Sequence, residues 1–175
     1  MRKLLFTLFI FSVFLSNAQE IEWMTFEEAV AKSENAPRKL LIDIYTDWCG
    51  WCKKMDKATY ENPVIIDYIN KNFYAVKFNA EQTASIDFSD HTFKFLPNGK
   101  RGVHELALAL TNNKPSYPTT VFMDEEFRII QPLPGYMDAK AMDPILKYIG
   151  GNKFKDTSWD NFQKSYKSPA NLQLN

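Results

Sequence analysis

Both cysteines of this 175-residue chain fall in one run, Trp48-Cys49-Gly50-Trp51-Cys52-Lys53. Two thiols at i and i+3 can handle a disulfide of another protein: one sulfur forms a mixed disulfide and the other displaces it. Such chemistry needs thiolate rather than thiol, and a helix N-terminus favours thiolate through its partial positive charge and unpaired N–H groups. Ahead of the motif, Lys39-Leu40-Leu41-Ile42-Asp43-Ile44-Tyr45 reads as a buried strand, and behind it Lys53 to Tyr60 can run as a helix. Two other uses of a cysteine pair stand beside exchange. A zinc site takes four ligands, usually from two C-x-x-C pairs or from one pair plus two closely spaced histidines. The chain offers His91 and His104, much farther apart than the about three to five residues of that pattern. A structural staple is the other, but so small a loop adds little stability when closed. Redox exchange is the reading that the position of the dithiol favours.

The N-terminus sets the expected compartment. Arg2 and Lys3 precede an apolar stretch from Leu4 to Leu15, followed by Ser16-Asn17-Ala18 before Gln19. That is the layout of a signal peptide over residues 1–18, too short for a membrane span of roughly 20 apolar residues. Retention as an uncleaved anchor is the alternative, and only then would the protein meet a membrane. Export to the periplasm or beyond is expected. Loss of Arg2 and Lys3 takes the formal charge from 0 to −2, and neither value points to nucleic acid or an anionic membrane. The remaining 157 residues suit one domain with a proper core. A domain of that size has no need of a disulfide to fold, which strengthens the functional reading of the pair.

The motif needs elements to hold it, and the pattern supplies them. Thr25-Phe26-Glu27-Glu28 is a capping box opening a helix to about Ser33. Asn62-Pro63 caps and starts a helix through Asn70, and Phe73 to Phe78 is a strand. Thr119 to Met123 and Phe127 to Gln131 form a hairpin around Asp124-Glu125-Glu126. A helix lies within 138–149, with a shorter version begun by Asp143 as cap and Pro144. Residues 86–101 predict an inserted hairpin or loop turning at Pro97-Asn98-Gly99, and Val103 to Leu110 predicts a helix. Trp159, Phe162 and Tyr166 recur at helical spacing, which favours a last helix packed on the domain over one that binds a partner.

Strand, Trp-Cys-x-x-Cys-Lys, helix, strand, then Pro118 opening an antiparallel hairpin and a closing helix resembles the thioredoxin superfamily. The stretch Tyr45-Thr46-Asp47-Trp48-Cys49-Gly50-Trp51-Cys52-Lys53-Lys54-Met55 is most similar to exported bacterial thioredoxin-like proteins and to the C-terminal domain of the thiol:disulfide transducer. The resemblance covers about 25–150. It implies an α/β, thioredoxin-like fold: a central mixed sheet flanked by helices, an insertion at about 83–112 before the cis-proline strand, and a helical extension at about 151–175. It also implies roles. Cys49 would be the attacking thiolate and Cys52 the resolving thiol. Asp43 would be the buried proton relay and Lys77 the lysine beside it. Pro118 would be the cis-proline facing the disulfide, with the Tyr117 backbone offering hydrogen bonds to an extended substrate.

The residues themselves bear on those roles. A charge inside the apolar run 40–44 is costly unless paired or protonated, so Asp43 is expected to have a partner or a raised pKa. A raised pKa suits proton transfer near neutral pH. The plain alternatives are a salt-bridged acid for Asp43, an exposed strand lysine for Lys77, a trans turn proline for Pro118 and core packing for Trp48. Otherwise Trp48 shields the disulfide, while Gly50 and Trp51 form the dipeptide that helps set the potential. That dipeptide lacks the histidine of strongly oxidising relatives and the proline of cytoplasmic thioredoxin, which leans toward a reductase or isomerase. The expected clients are exported proteins with disulfides. The redox-active Cys49–Cys52 pair would serve without metal or other cofactor, its electrons coming from a membrane thiol transducer. Two further readings stand: a client-specific reductase in cytochrome c maturation, and a module that holds extended peptide in a groove near Pro118.

Overall fold

The computed structural model describes residues 19–169 and Leu172, so the expected signal segment 1–18 lies outside the described residues. Five strands form a mixed sheet in the order β1-β3-β2-β8-β9. They are β1 (Trp23–Met24), β2 (Lys39–Tyr45), β3 (Phe73–Asn79), β8 (Thr119–Met123) and β9 (Ile129–Pro134). β1, β3 and β2 run parallel, while β8 is antiparallel to both β2 and β9. β2 is paired on both edges and covered on both faces. That is why it reads as a continuous apolar run rather than an alternating one.

Alternation along β2 sorts the core into two layers. Leu40, Ile42 and Ile44 pack with Phe26, Leu106 and Leu110, which come from α1 (Phe26–Asn35) and α4 (Glu105–Leu110). Leu41 packs with Ile65, Ile69, Met142 and Leu146, from α3 (Pro63–Asn72) and α5 (Ala139–Gly150). Each fully buried Leu or Ile contributes about 1.5–3 kcal/mol. Asp43 shares the face of Leu41. Lys39 opens the same row, its ammonium paired with Glu125 at 2.7 Å, so the carboxylate of Asp43 is the one acid in it.

Local chemistry starts α1 and α3 where the sequence predicts. Thr25 and Glu28 close the capping box of α1, with Glu28 N–H donating to Thr25 Oγ1 at 3.2 Å and Thr25 N–H to Glu28 Oε2 at 2.8 Å. Asn62 Oδ1 accepts from Val64 N–H at 3.0 Å, and Pro63 takes the first turn of α3. The helix after the motif is composite: α2 (Gly50–Met55) runs into a π-helical turn over Asp56–Tyr60.

Three expectations are corrected, and the closing helix is decided between its two versions. The closing helix is the long one, capped by Asp138, whose Oδ1 accepts from Ala141 N–H at 2.8 Å; Pro144 sits inside it. The apolar face of Met142, Leu146 and Ile149 outweighs the missing hydrogen bond, and Asp143 caps nothing but accepts from Tyr166 Oη at 2.7 Å. The insertion holds two hairpins, β4 (Ile86–Phe88) with β5 (His91–Phe93) and β6 (Phe95–Asn98) with β7 (Arg101–His104). The second turns at Gly99-Lys100 rather than at Pro97-Asn98-Gly99, because Asn98 pairs with Arg101 and Gly99 takes φ 60°. The predicted helix from Val103 begins at Glu105, since Val103 and His104 still belong to β7 and His104 Nδ1 caps the helix through Leu106 N–H. β9 starts at Ile129 rather than Phe127, which takes a left-handed φ of 60° in the turn. The last helix, α6 (Trp159–Ser165), packs on the domain as favoured, with Trp159 and Phe162 both against Tyr148.

Candidate active site

The end of β2 delivers the motif to the start of α2. Cys49 is the N-cap of α2 and is joined to Cys52 with their Cα atoms 5.3 Å apart. Cys52 N–H donates to Cys49 Sγ at 3.0 Å. A free helix N–H and the helix dipole thus both address the first sulfur, so negative charge placed there is stabilised. Cys49 is 5% and Cys52 2% exposed, which makes the first cysteine the more accessible of two nearly covered residues. The aromatic neighbours are open. Trp48 and Trp51 are 50% and 58% exposed, so Trp48 is no core residue. Its ring meets Tyr117 edge-on at 6.0 Å, and its Nε1–H donates to Glu81 Oε2 at 3.0 Å. A Cβ on Gly50 would meet nothing, so that position borders open space.

Pro118 follows a cis peptide bond from Tyr117 and is buried at the head of β8. The Pro118 carbonyl accepts from Gly135 N–H at 2.8 Å, and the β8–β9 ladder begins at Thr119, which leaves Tyr117 beyond it.

The buried acid has its partner. Parallel pairing of β2 and β3 sets Asp43 directly opposite Lys77, and antiparallel pairing sets it opposite Thr120. Lys77 Nζ donates to Asp43 Oδ2 at 2.6 Å and also to Asp56 Oδ1. Three rings surround the ammonium, Trp23 and Tyr45 at 5.1 Å and Tyr60 at 5.4 Å, so Lys77 is not an exposed strand lysine. Burial pushes the Asp43 carboxyl up from 3.8 to about 6. The Lys77 ammonium pulls the other way, and the Asp56 carboxylate adds to the rise. Burial alone would lower Lys77, but the two carboxylates outweigh it and its pKa is raised. Asp56 is the member in touch with solvent, at 41% side-chain exposure, and it lines an open cleft with Trp23, Tyr60 and Lys77.

The structure therefore gathers Cys49, Cys52, Trp48, Gly50, Trp51, Tyr117 and Pro118 around the end of β2 and the start of β8, with Asp43 and Lys77 inside the sheet that carries them. Sequence reasoning missed four contributors. Asp56, at i+4 from Cys52, had a signal in its helical spacing. Glu81 under Trp48, Tyr136 at 5.5 Å from Trp51, and Arg101 at 4.3 Å over Trp48 had none, because only the tertiary fold brings them in. The candidate metal ligand His104 is fully buried, with Nε2 3.0 Å from the Ala84 carbonyl and Nδ1 accepting from Leu106 N–H. It fastens the insertion to the loop after β3.

Comparison with known proteins agrees with the fold that carries these residues. The model of the thioredoxin DsbH family, described as a protein of unknown function, DUF255, matches residues 11–141, about three quarters of the chain. A thioredoxin-fold protein from Helicobacter pylori superposes with a TM-score of 0.57 at 22% identity, covering 91% of this chain and 89% of that one. The DsbH oxidoreductase does so with a TM-score of 0.54 at 17% identity, over 77% and 87% of the two chains. At these identities the likeness is one of fold. The thiol:disulfide interchange protein DsbD of Haemophilus influenzae is 27% identical over 119 residues, which is 67% of this chain and 17% of the relative. The chain spans between 7% and 17% of the lengths of the curated relatives it matches.

Proposed function

The chain belongs to the DUF255 family of thioredoxin-fold proteins, and we propose that it is a protein thiol–disulfide oxidoreductase working outside the cytoplasm as a reductase or isomerase. One observation carries the reading. A disulfide too short-looped to stabilise much caps a helix at the end of the strand in which a buried carboxylate is held near pH 6. A staple has no use for that carboxylate, whereas a dithiol that must shed and regain a proton does.

Reduced Cys49, as thiolate, attacks one sulfur of a client disulfide, so a Cys49–client disulfide forms and one client thiolate leaves. Cys52 gives its proton to the Asp43 carboxylate, and its sulfur displaces the second client thiolate as the Cys49–Cys52 bond closes. Two electrons pass from the dithiol to the client disulfide, and the two client sulfurs end protonated, one by the Cys52 proton returned from Asp43 and the other by solvent. Lys77 keeps Asp43 anionic at neutral pH despite its burial, and Asp56 links the pair to solvent. An extended client segment lies along Tyr117, Pro118, Gly50 and the two exposed tryptophans. The lean to reduction rests on Gly50-Trp51, which places no cation of its own beside the thiolate. Export rests on the charged and apolar N-terminal segment. A membrane thiol transducer as electron donor rests on the likeness to DsbD, named a thiol:disulfide interchange protein.

The test is a trapping experiment. With a disulfide-bonded test protein, Cys52→Ser accumulates a mixed disulfide through Cys49, while Cys49→Ser forms none and loses all exchange. A reduction potential near about −270 mV supports the reductase, and one near about −120 mV makes the protein an oxidant. Retained peptide holding without any reversible disulfide would support the holding module instead.

A further inference from the structure

Two exposed tryptophans bracket Cys49, and each carries a cation on its ring. The Arg101 guanidinium lies 4.3 Å from the centre of Trp48, and Lys54 Nζ lies 4.8 Å from Trp51 and 5.1 Å from Tyr136. Among the described residues neither cation has a carboxylate partner, and the Arg101 guanidinium donates no hydrogen bond. The nearby acids are engaged elsewhere: Glu81 by Trp48 Nε1–H, Asp47 by the Asn79 amide and Asp138 as the cap of α5. Beyond Trp51, Lys54 and Tyr136 open into a cleft of about 570 Å³ that Lys57, Lys140 and one acid, Asp138, also line, so lysines outnumber carboxylates there. Both cations are thus desolvated on one face by an aromatic ring and open on the other. A guanidinium holds its N–H groups in one plane, the geometry a carboxylate needs for two parallel hydrogen bonds.

Arg101 is also firmly placed. It opens β7 of the inserted hairpin, and the next residue, Gly102, is covered by the ring of Phe95 and the carbonyl of Leu96, where a Cβ would collide. The hairpin is fastened below by His104 N–H to the Ala80 carbonyl at 2.7 Å and by the His104 ring to Ala84.

We propose that Arg101 and Lys54 are specificity residues which select polypeptide partners carrying acidic side chains on both sides of the reacting cysteine. The proposal rests on the exchange reading for its purpose, but its physical content is binding, and the two can be separated. Three peptides serve, identical except for Glu, Gln or Lys on each side of a central residue. With Ser at the centre they are titrated against the oxidised protein, and the fluorescence of Trp48 and Trp51 reports binding. With Cys at the centre, as the mixed disulfide with uncharged 2-thiopyridine, they are mixed with the dithiol protein. There the Cys49 thiolate forms a disulfide with the peptide and expels thiopyridine, and Cys52 then displaces the peptide thiolate. The dithiol supplies both electrons.

The Glu peptide should bind about fivefold more tightly than the Gln peptide at low salt, with the Lys peptide weakest. The advantage should shrink in high salt as screening shortens from about 10 Å at 0.1 M to about 3 Å at 1 M. The double variant Arg101→Glu, Lys54→Glu should reverse the order in favour of the Lys peptide, which a merely structural role would not do. Equal affinities for the three peptides, or a Glu preference that survives the double variant, would overturn the proposal. Selective binding of the Glu peptide without release of thiopyridine would uphold it and reject the exchange reading instead.

Discussion

Replacing Asp43 by Asn should make the oxidised protein more stable at neutral pH while slowing its chemistry. The carboxyl is 1% exposed and its pKa is raised from 3.8 to about 6, mainly by burial. In the folded state it holds its proton at pH values where the unfolded chain has already released it. Folding is therefore favoured below about pH 4, and this contribution is lost as pH rises through about 6. The interval between 3.8 and about 6, at 1.36 kcal/mol for each pH unit, amounts to about 3 kcal/mol. Asn is neutral at every pH, keeps an oxygen to accept from Lys77, and leaves the ammonium its second carboxylate, Asp56. Urea unfolding of the oxidised protein across about pH 4 to 8 should show the native protein losing about 3 kcal/mol that the variant keeps, the two converging at the acid end. In single turnover the variant should accumulate the mixed disulfide, since Cys52 has lost its proton acceptor. Higher stability with lower activity marks a group kept for function at a cost to the fold. A variant less stable than the native protein at pH 7, or one with the same loss between pH 4 and 6, would show that Asp43 is an ordinary salt-bridged acid and would refute the relay.

Asp56→Asn should lower the Asp43 midpoint below about 6, because the Asp56 carboxylate contributes to its rise; the carboxyl carbon shift of Asp43 in a pH titration reads this directly. Gly50→His should make the disulfide more oxidising, by about 30 mV if the imidazolium stabilises the thiolate by about 1.4 kcal/mol, and the open space at that position accommodates the ring. An unchanged potential in glutathione buffers would mean that the side chain does not sense Cys49. Gly102→Ala drives a methyl into Phe95 and the Leu96 carbonyl and should cost about 1–3 kcal/mol, with faster amide exchange confined to β6 and β7. Uniformly unchanged protection there would show that the hairpin does not depend on this close approach.

Much of the scaffold was legible because its causes are local. A capping box, an Asn-Pro start and an apolar run of strand length act within a few residues, and α1, α3 and β2 begin where those signals stand. The dithiol at a helix start is local too, so the candidate cysteine pair is legible in six consecutive residues. Locality also explains what stayed open or differs. The first-turn preference of proline allows a shorter α5 begun at Pro144, and only the buried face that carries the helix through it decides for the longer one. Val103 and His104 looked helical because nothing nearby shows that His104 pairs with Phe95 across a hairpin.

The sequence by itself determined that a cysteine pair would cap a helix at the end of a buried strand, and that one acid in that strand would need a partner. The fold decided the rest. Strand register set Lys77 opposite Asp43 from 34 residues away, the composite helix after the motif brought Asp56 to the same ammonium, and the insertion laid Arg101 over Trp48. Those contacts join segments far apart in the chain. Burial, Coulomb energy and groove chemistry depend on distances that only packing creates, whereas periodicity and capping are already complete within one turn or one strand.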